Sequence, residues 1–288
     1  MSDKKVKIAV AKFGCIGAAP LLDLILDERA DREDLEIRGY TSGAKLDPGS
    51  CSAIVEDIIG YEPDIVFISS PNAALPGPTQ ARDTFSEKGL ASITLSDGPS
   101  KKAFIGKDDD GNKIFKVADN QGFIVLPCDP MIGARREFLD PSEMSLFNAD
   151  VIKVHAVTGV TRFVQLALDK VVSEIKLGET LEMPRLVAEA EDVVAATQFG
   201  NPYSAAKAIA ALGIVESVAK LTTKGCFMVK EAERYVPLVA AGHETLRAAV
   251  KLADEIRELE KSVDGVLRTP HSAHGNTRRA TSLGEKPA

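Results

Sequence analysis

Two arginines and two carboxylates stand close together between positions 135 and 140 of this 288-residue chain. Arg135 and Arg136 could pair with a phosphate or carboxylate on a ligand, because the guanidinium fork matches the geometry of both groups. Glu137 and Asp140 place two negative charges beside them. The same side chains could instead form an internal ion-pair network that holds two parts of the fold together. From these residues alone both interpretations stay open.

A turn with two glycines follows the first strand pattern and leads into a helical pattern at 12–18. Phosphates bind at the start of a helix in this position. The full GxGxxG pattern is missing because Lys12 occupies the first glycine position, and segment 40–45 lacks the acidic residue that binds a ribose diol. These departures argue against NAD, whereas Lys45 and a nearby hydroxyl suit a phosphate. The alternative is a tight turn that simply needs small residues. The predicted cofactor-binding residues here are Lys12, Gly14, Cys15, Ile16, Gly17, Ser42 and Lys45.

Two further loops follow the third and fourth strand patterns. The first, at 71–78, holds three prolines, and a stiff loop binds a ligand at low entropic cost. Its Asn72 offers a donor and acceptors for the edge of a flavin-like pyrimidine. Asp97, after the fourth strand, should face the same cleft, because parallel strands end at one edge of a sheet. We predict that Pro71, Asn72 and Pro76 contact a cofactor; a rigid connection without a ligand is the alternative for the proline loop.

The cysteines and histidines do not predict a metal site or a hydrolase. The four cysteines are far apart and form no CxxC pair. His243 and Glu244 do not extend to an HExxH motif, because residue 247 is arginine. His155 has Asn148 and Arg162 one heptad away on either side, which is typical of a solvated or interface stripe. The sequence has no nucleophile elbow and no Ser-His-Asp spacing.

The elements that must position these residues are strands and helices in alternation. Strand patterns at 6–10, 35–40, 64–68 and 91–95, with helical patterns between them, predict an α/β fold with a mainly parallel, Rossmann-like sheet. The segment 108–112 (Asp-Asp-Asp-Gly-Asn) predicts a hairpin turn, since Asp-Gly accepts positive φ. A further strand at 123–126 precedes the arginine pair.

From residue 141 onward the pattern is helical. Apolar residues recur at three- and four-residue steps from Phe147 to Ile175, which predicts one helix of about nine turns. Two more helices are predicted near 202–221 and 236–261, the first rich in alanine, with a mixed linker at 178–199. We therefore expect a coenzyme-binding α/β domain over 1–140, a helical bundle domain over 141–262 and an irregular tail over 263–288.

The composition of the chain argues against some classes of partner and against a location in a membrane. A formal net charge of -7 and an aromatic content of 5% argue against a nucleic-acid partner, which needs a basic surface and exposed rings. No apolar run approaches the roughly eighteen residues of a membrane span. The strand pattern begins directly after the first five residues, which argues against a signal peptide. We expect a cytoplasmic protein that binds neither nucleic acid nor a membrane.

Segments along nearly the whole chain resemble one family, the coenzyme F420-dependent methylene-tetrahydromethanopterin dehydrogenases. They occur in the family's order. The segments are 26–32, 76–78, 129–141 (which contains Ala-Arg-Arg-Glu-Phe-Leu-Asp-Pro), 201–203, 225–227, 233–237 (Glu-Arg-Tyr-Val-Pro) and 266–271 (Val-Leu-Arg-Thr-Pro-His).

The resemblance implies a reversible hydride transfer between 5,10-methylene-tetrahydromethanopterin and coenzyme F420, a deazaflavin co-substrate, in one-carbon metabolism or methanogenesis. The products are reduced F420 and 5,10-methenyl-tetrahydromethanopterin, an amidinium-like cation. Hydride moves between carbon atoms, so the protein chiefly has to hold two rings together and supply favourable charges, with no metal. A homo-oligomer, reported as a hexamer, is also implied. The implied catalytic residues are Glu137, Asp140 and Asp97, and the implied substrate-binding residues are Arg135, Arg136, Asn148 and His271.

Two segments depart from the family pattern. Segment 14–18 reads Gly-Cys-Ile-Gly-Ala where the family has Gly-Asn-Ile-Gly-Thr, and 96–100 reads Ser-Asp-Gly-Pro-Ser where it has Gly-Asp-Ala-Pro-Gly. Two alternatives follow from them. One is an NADP-dependent dehydrogenase of the same pterin, with Lys45 at the 2′-phosphate. The other is a catalytically silent pterin-binding subunit.

Overall fold

The structure is a computed structural model that describes residues 5–130 and 140–287. These residues divide between two compact units. The first takes the chain up to Pro127 together with Leu166–Ala188. The second takes Cys128–Gln165 and the chain from Glu189 onward.

A parallel sheet forms the centre of the first unit. Within the described residues it has six strands in the order β2-β1-β3-β4-β7-β8, and every neighbouring pair is parallel. Strands β3, β4 and β7 are buried along their whole length, as expected for strands that are covered on both faces. The predicted α/β fold is confirmed. The strands are β1 (Val6–Lys12), β2 (Leu35–Thr41), β3 (Ile65–Ser70), β4 (Ser92–Asp97), β7 (Gln121–Leu126) and β8 (Arg185–Val187).

Helices connect the first strands of this sheet. They are α1 (Ala19–Leu26), α2 (Pro48–Tyr61), α3 (Pro76–Glu87) and the single turn α4 (Lys101–Phe104). The start of α2 shows why the sequence forms a helix there, since the Asp47 carboxylate accepts a hydrogen bond from Ser50 N and Pro48 occupies the first turn. One side of the sheet packs on α2 and α3 through a core that includes Phe13, Ile58 and Phe85.

The hairpin predicted after the fourth strand is present. It pairs β5 (Ile105–Lys107) with β6 (Lys113–Phe115) in antiparallel register. The Asp108 carboxylate accepts hydrogen bonds from Asp110 N at 3.0 Å and Asn112 N at 2.7 Å, and Gly111 has a φ of 84°. The acidic segment therefore closes a turn with its own backbone.

The second unit is helical. Its helices are α5 (Pro141–Thr158), the first residues of α6 (Val160–Leu177), α7 (Ala190–Thr197), α8 (Pro202–Thr223) and α9 (Ala232–Ser262). Buried alanines, including Ala208 and Ala211 on α8 and Ala249 and Ala253 on α9, let these two helices approach closely. No single described helix is both long and apolar enough to cross a membrane, although the bent pair α5–α6 meets those limits when its two halves are added.

The prediction of one nine-turn helix from 147 to 175 is wrong. The helix breaks at Gly159, where the chain bends by 72° between α5 and α6. Gly159 has a φ of 111°, and a Cβ there would collide with Thr197 Oγ1 and Val193 O of α7. The apolar spacing continues across the break, because a one-residue interruption hardly changes a three-to-four periodicity.

The linker at 178–199 holds β8 and α7, which the sequence reading missed because each is too short for periodicity. β8 pairs with β7 in the first unit, and Lys176 Nζ near the end of α6 lies 3.2 Å from Asp34 Oδ2, just before β2. The observed units therefore interleave along the chain, which differs from the predicted boundaries at 140 and 262.

Candidate functional site

The strand order creates a crevice at the carboxyl edge of the sheet. From β1 the chain first crosses to β2 on one side, and β3 then lies on the other side of β1. In open α/β sheets such a switch point is where ligands bind. The loops after β1 and β3 leave the sheet on either side of it, and both contain residues that the sequence predicts for cofactor binding.

The loop after β1 passes close to the loop after β3. Gly14 has a φ of 83°, and a Cβ there would lie 3.1 Å from Pro71 Cδ and 3.0 Å from Leu46 Cδ2. Phe13 N donates a hydrogen bond of 2.9 Å to Ser69 O, which continues the β1–β3 pairing into the loop. Glycine at position 14 is therefore required both by its backbone conformation and by the close approach of the two loops.

Lys12 and Ser42 tie the ends of β1 and β2 together. Ser42 N donates to Lys12 O at 3.0 Å, and Ser42 Oγ donates to Lys45 O at 2.7 Å. Lys12 Nζ lies 3.9 Å from Cys15 Sγ. Lys12 is half-buried, and Lys45 is exposed. The predicted residues of this edge are thus brought together, with two ammonium groups that an anionic ligand could use.

The loop after β3 forms its own turn. Asn72 Oδ1 accepts a hydrogen bond of 3.2 Å from Ala74 N, so this oxygen shapes the loop. Asn72 is half-buried, Pro71 is buried, and Pro76 is exposed in the first turn of α3.

Ala73, in the same loop, is held from two sides by residues that the sequence reading missed. Its N–H donates to Ser100 Oγ at 2.7 Å, and its carbonyl accepts from Arg82 Nη1 at 2.7 Å and from Thr79 Oγ1 at 3.1 Å. Arg82 is only 4% exposed, and burial lowers its pKa to about 10, so the guanidinium stays charged at neutral pH. The guanidinium carbon Cζ of Arg82 lies 5.1 Å from the centre of the Phe104 ring. A buried arginine therefore fixes the backbone of a loop at the ligand edge.

Two serines extend this network to β4. Ser96 Oγ donates to Ser70 O at 2.5 Å, and it lies 2.5 Å from Ser100 Oγ. Asp97, the next residue, is 2% exposed and stands in register with Leu126 of β7. Asp97 thus ends its strand at the predicted edge, in a largely water-excluded position. Ser96 in the strand and Ser100 in the turn after it have no characteristic spacing, so a sequence pattern could not have revealed their role.

Ile16 and Gly17 are buried between β1 and α1, and the other predicted residues belong to the second unit or lie outside the described chain. Asp140 caps α5, where its Oδ1 accepts hydrogen bonds from Ser142 N at 2.7 Å and Glu143 N at 2.9 Å. Asn148 is half-buried on α5, and His271 is buried beside a bridge to Thr277. The three residues outside the described chain are Arg135, Arg136 and Glu137.

The prediction that His155 lies on a solvated or interface stripe is wrong. The side chain is fully buried, and Nε2 lies 2.9 Å from Cys128 O. Because a carbonyl oxygen can only accept a hydrogen bond, Nε2 is the protonated nitrogen that donates it. Burial lowers the pKa of His155 to about 4, which keeps the imidazole neutral. Asp129 Oδ1 lies 3.9 Å away and is also buried. Heptad spacing shows which positions share a helix face, but it does not show whether that face is covered.

The chemistry available at the sheet edge is that of binding and charge stabilisation. It combines two ammonium groups, a buried carboxylate and a loop held by hydrogen bonds. No group of three or more His, Cys, Asp or Glu side chains within residues 5–130 and 140–287 is arranged to hold a metal ion.

Comparison with known proteins decides the family. A profile of the family described as methylene-5,6,7,8-tetrahydromethanopterin dehydrogenase matches residues 6–288. The chain belongs to this family. The resemblance inferred from the segments at 26–32 through 266–271 is thereby confirmed, and the altered turn at 14–18 is a variation within the methylene-tetrahydromethanopterin dehydrogenase family.

Relatives in the methylene-tetrahydromethanopterin dehydrogenase family match nearly end to end. The F420-dependent methylenetetrahydromethanopterin dehydrogenase of Archaeoglobus fulgidus is 51% identical over 98% of this chain and 99% of its own length. Its namesake from Methanocaldococcus jannaschii is 47% identical over 98% and 99%. A solved structure of F420-dependent methylene-tetrahydromethanopterin dehydrogenase, in complex with methylene-tetrahydromethanopterin and coenzyme F420, superposes with a TM-score of 0.89 at 41% identity, over 99% of this chain and 100% of the other.

Proposed function

We propose that this chain catalyses reversible hydride transfer between 5,10-methylene-tetrahydromethanopterin and coenzyme F420. One observation carries the proposal. A structure that shares this fold over 99% of the chain, at 41% identity, is that of an enzyme in complex with both compounds. A pair of chains this similar over their full length ordinarily keeps the same reaction.

The carboxyl edge of the sheet fits a deazaflavin with an anionic side chain. Coenzyme F420 carries phosphate and glutamyl carboxylates, and the edge offers Lys12 and Lys45 near the end of β1. The glycine turn and the loop around Asn72 would hold the ring system, the loop being fixed through Ala73. When bound, the deazaflavin supplies the carbon that accepts the hydride; the protein aligns the two reacting carbons.

Charge stabilisation falls to the carboxylates. The hydride leaves with its electron pair, so the pterin becomes a delocalised cation that a nearby carboxylate favours. Asp97 is the proposed group among the described residues, because it is buried at the ligand edge. Asp140 is a weaker candidate, since its carboxylate already accepts two backbone hydrogen bonds. Glu137, with Arg135, Arg136, Asn148 and His271 as pterin contacts, completes the proposed set.

The test is a direct assay with purified protein. Methylene-tetrahydromethanopterin and oxidised F420 are mixed with the enzyme, and the visible absorbance of the deazaflavin is followed. We expect bleaching that depends on both compounds and on the enzyme, and recovery of colour when methenyl-tetrahydromethanopterin is added to reduced F420. A parallel titration with NADP should give no turnover. Tight pterin binding without turnover on either acceptor would refute the proposal and favour a catalytically silent subunit.

We further propose that the protein is a homo-oligomer, a hexamer, in the cytoplasm. Large apolar side chains are exposed on α8 and in the turn after it, among them Tyr203 at 73% and Met228 at 71%. Phe227, which is 50% exposed, adjoins Met228 in the chain, and an exposed apolar patch is typical of a surface that another subunit covers. Sedimentation velocity of the purified chain should give the mass of six copies, and a monomer at micromolar concentration would contradict this.

A further inference from the structure

A cavity of about 330 Å³ lies in the second unit, beside the bend at Gly159. Residues of α5, α6, α7 and α9 form its wall together with residues 265–267. Two arginines line it, Arg162 at the start of α6 and Arg257 on α9. The hydroxyls of Thr161 and Thr197 also belong to the wall, and neither makes a hydrogen bond within the described chain.

Arg162 is a half-buried cation whose hydrogen-bond partners are neutral. Its Nη1 donates to Thr269 Oγ1 at 2.6 Å, and its Nη2 donates to Leu267 O at 3.0 Å. It forms no ion pair with any carboxylate in the described part of the chain. Burial lowers its pKa, and the charge of Arg279 lowers it further. Charged groups that lose water are normally paired with an opposite charge, and the described residues supply none for Arg162.

The acidic residue in the wall does not supply that counterpart. Glu260 is buried, and its carboxylate accepts hydrogen bonds from Gly200 N at 2.9 Å and Asn201 N at 3.1 Å. Both donors stand immediately before α8, so the negative charge lies at the positive end of that helix. The charge of Glu260 is therefore already stabilised by another element.

The C-terminal segment beside the cavity is held by specific hydrogen bonds. Gln165 Nε2 donates to Thr269 O at 2.9 Å, and Thr269 Oγ1 donates to Gln165 Oε1 at 3.1 Å. Together with Arg162, these bonds fix segment 266–271 on α6. That segment is one of those by which the sequence resembles its family.

We propose that this cavity is an anion site in which Arg162 receives a phosphate or carboxylate group, with Arg257 as a second cation at the wall. The anion has two sources, a free ion from solution or the acidic part of one of the two reactants. Only the second source rests on the proposed function.

The first experiment uses inorganic phosphate as the probe. Isothermal titration of the full chain, at constant ionic strength, is made with the wild type and with Arg162→Gln, Arg162→Lys, Thr269→Val and Lys251→Gln. We expect phosphate to bind the wild type and to bind Arg162→Gln at least about tenfold more weakly, because a charge-assisted hydrogen bond is lost. Arg162→Lys keeps the charge and should retain part of the affinity. Lys251→Gln removes one exposed charge from α9 and should bind as the wild type does.

The second experiment measures kcat and KM of the same variants for each reactant. If Arg162→Gln raises KM for one reactant about tenfold with kcat unchanged, the site receives the anionic part of that reactant. If both KM values stay constant while phosphate affinity falls, the anion is a free ion. Thr269→Val removes a hydrogen bond that Arg162 donates but leaves the charge of Arg162 in place. It therefore distinguishes the role of Arg162 in binding an anion from its role in holding the C-terminal segment. The proposal is wrong if Arg162→Gln changes neither phosphate affinity nor KM, or if Thr269→Val causes the same losses. If the wild type shows no hydride transfer, the proposed function fails, and the phosphate titration still decides the site.

Discussion

At the scale of single residues, the sheet edge combines side chains that differ sharply in exposure. Lys45, shortly after β2, is exposed and Lys12, at the end of β1, is half-buried, whereas Asp97 is only 2% exposed. Accessible cations suit the recognition of an acidic ligand, while a buried carboxylate acts strongly on a charge placed near it, because little water screens the field. We therefore expect binding and catalysis to respond to different substitutions.

Replacing Lys12 by glutamine should weaken binding of the acidic cosubstrate. We expect KM for F420 to rise about tenfold, since a charge-assisted contact is lost, with kcat nearly constant. The measurement is a steady-state titration of F420 at saturating pterin. Lys88→Gln removes an exposed charge at the end of α3 and serves as the control. An unchanged KM in the Lys12 variant would exclude its role in binding.

Replacing Asp97 by asparagine keeps the side-chain shape and removes the charge. We expect kcat to fall on the order of tenfold to a hundredfold with little change in KM, because the carboxylate acts on the cation that forms during hydride loss. Circular dichroism and the melting temperature establish that the variant is folded. Glu87→Gln, at the exposed end of α3, is the matched control. A rise in KM alone would point to substrate contact instead of charge stabilisation.

At the scale of elements, the site depends on how its loops are held. The loop after β3 is fixed through both backbone groups of Ala73, by Ser100 on one side and by Arg82 with Thr79 on the other. A loop that is ordered before the ligand arrives loses less conformational entropy on binding. The buried network thus contributes to affinity although its side chains are covered.

Replacing Ser100 by alanine should test this contribution. The Ala73 N–H loses its acceptor in a buried place, so we expect a loss of about 1–3 kcal/mol in the free energy of unfolding. We also expect a higher KM for F420, because the loop is less well ordered. Urea unfolding and F420 titration give the two quantities. Ser217→Ala removes an exposed hydroxyl on α8 and should change neither. Loss of stability with an unchanged KM would restrict the network to a structural role.

The sequence predicted the elements that have a repeated or chemically distinct pattern. The parallel strands, the Asp-Gly turn of the hairpin and the alanine-rich α8 belong to this group. It did not predict β8, which has three residues, or the bend at Gly159, where the apolar spacing is undisturbed. It placed Lys12, Ser42 and Asp97 at the correct strand ends. The roles of Arg82 and Ser100 were not predicted, because both contact backbone groups of Ala73 that only the fold brings near. Such contacts have no signature in the sequence.

At the scale of the whole molecule, buried ionisable groups couple stability to pH. His155 is fully buried with a pKa of about 4, below the value of about 6.5 expected in an unfolded chain. Between these two values the unfolded chain binds a proton that the folded chain does not. The contribution of the neutral His155 to the free energy of unfolding is therefore complete above about pH 6.5, and it is lost progressively as the pH falls towards 4.

The pH dependence of unfolding should show this loss. We expect the wild type to lose up to about 3 kcal/mol between pH 6.5 and 4 through this histidine, and His155→Gln to lack that part of the slope. Chemical denaturation at a series of pH values is the measurement. His274→Gln, at an exposed position of the C-terminal segment, is the control and should follow the wild type. Parallel slopes for the His155 variant and the wild type would show that other groups control acid stability.

The late position of β8 in the chain affects how the protein is made. Its sheet partner β7 ends at residue 126, but β8 is not synthesised until residues 185–187 leave the ribosome. Until then β7, buried along its whole length in the finished protein, is an open edge with unpaired backbone groups and apolar side chains. A nascent chain in this state is prone to pair with other chains, and a fragment cut at residue 140 would keep the defect permanently. We therefore expect such a fragment to aggregate, although it contains every predicted cofactor-binding residue.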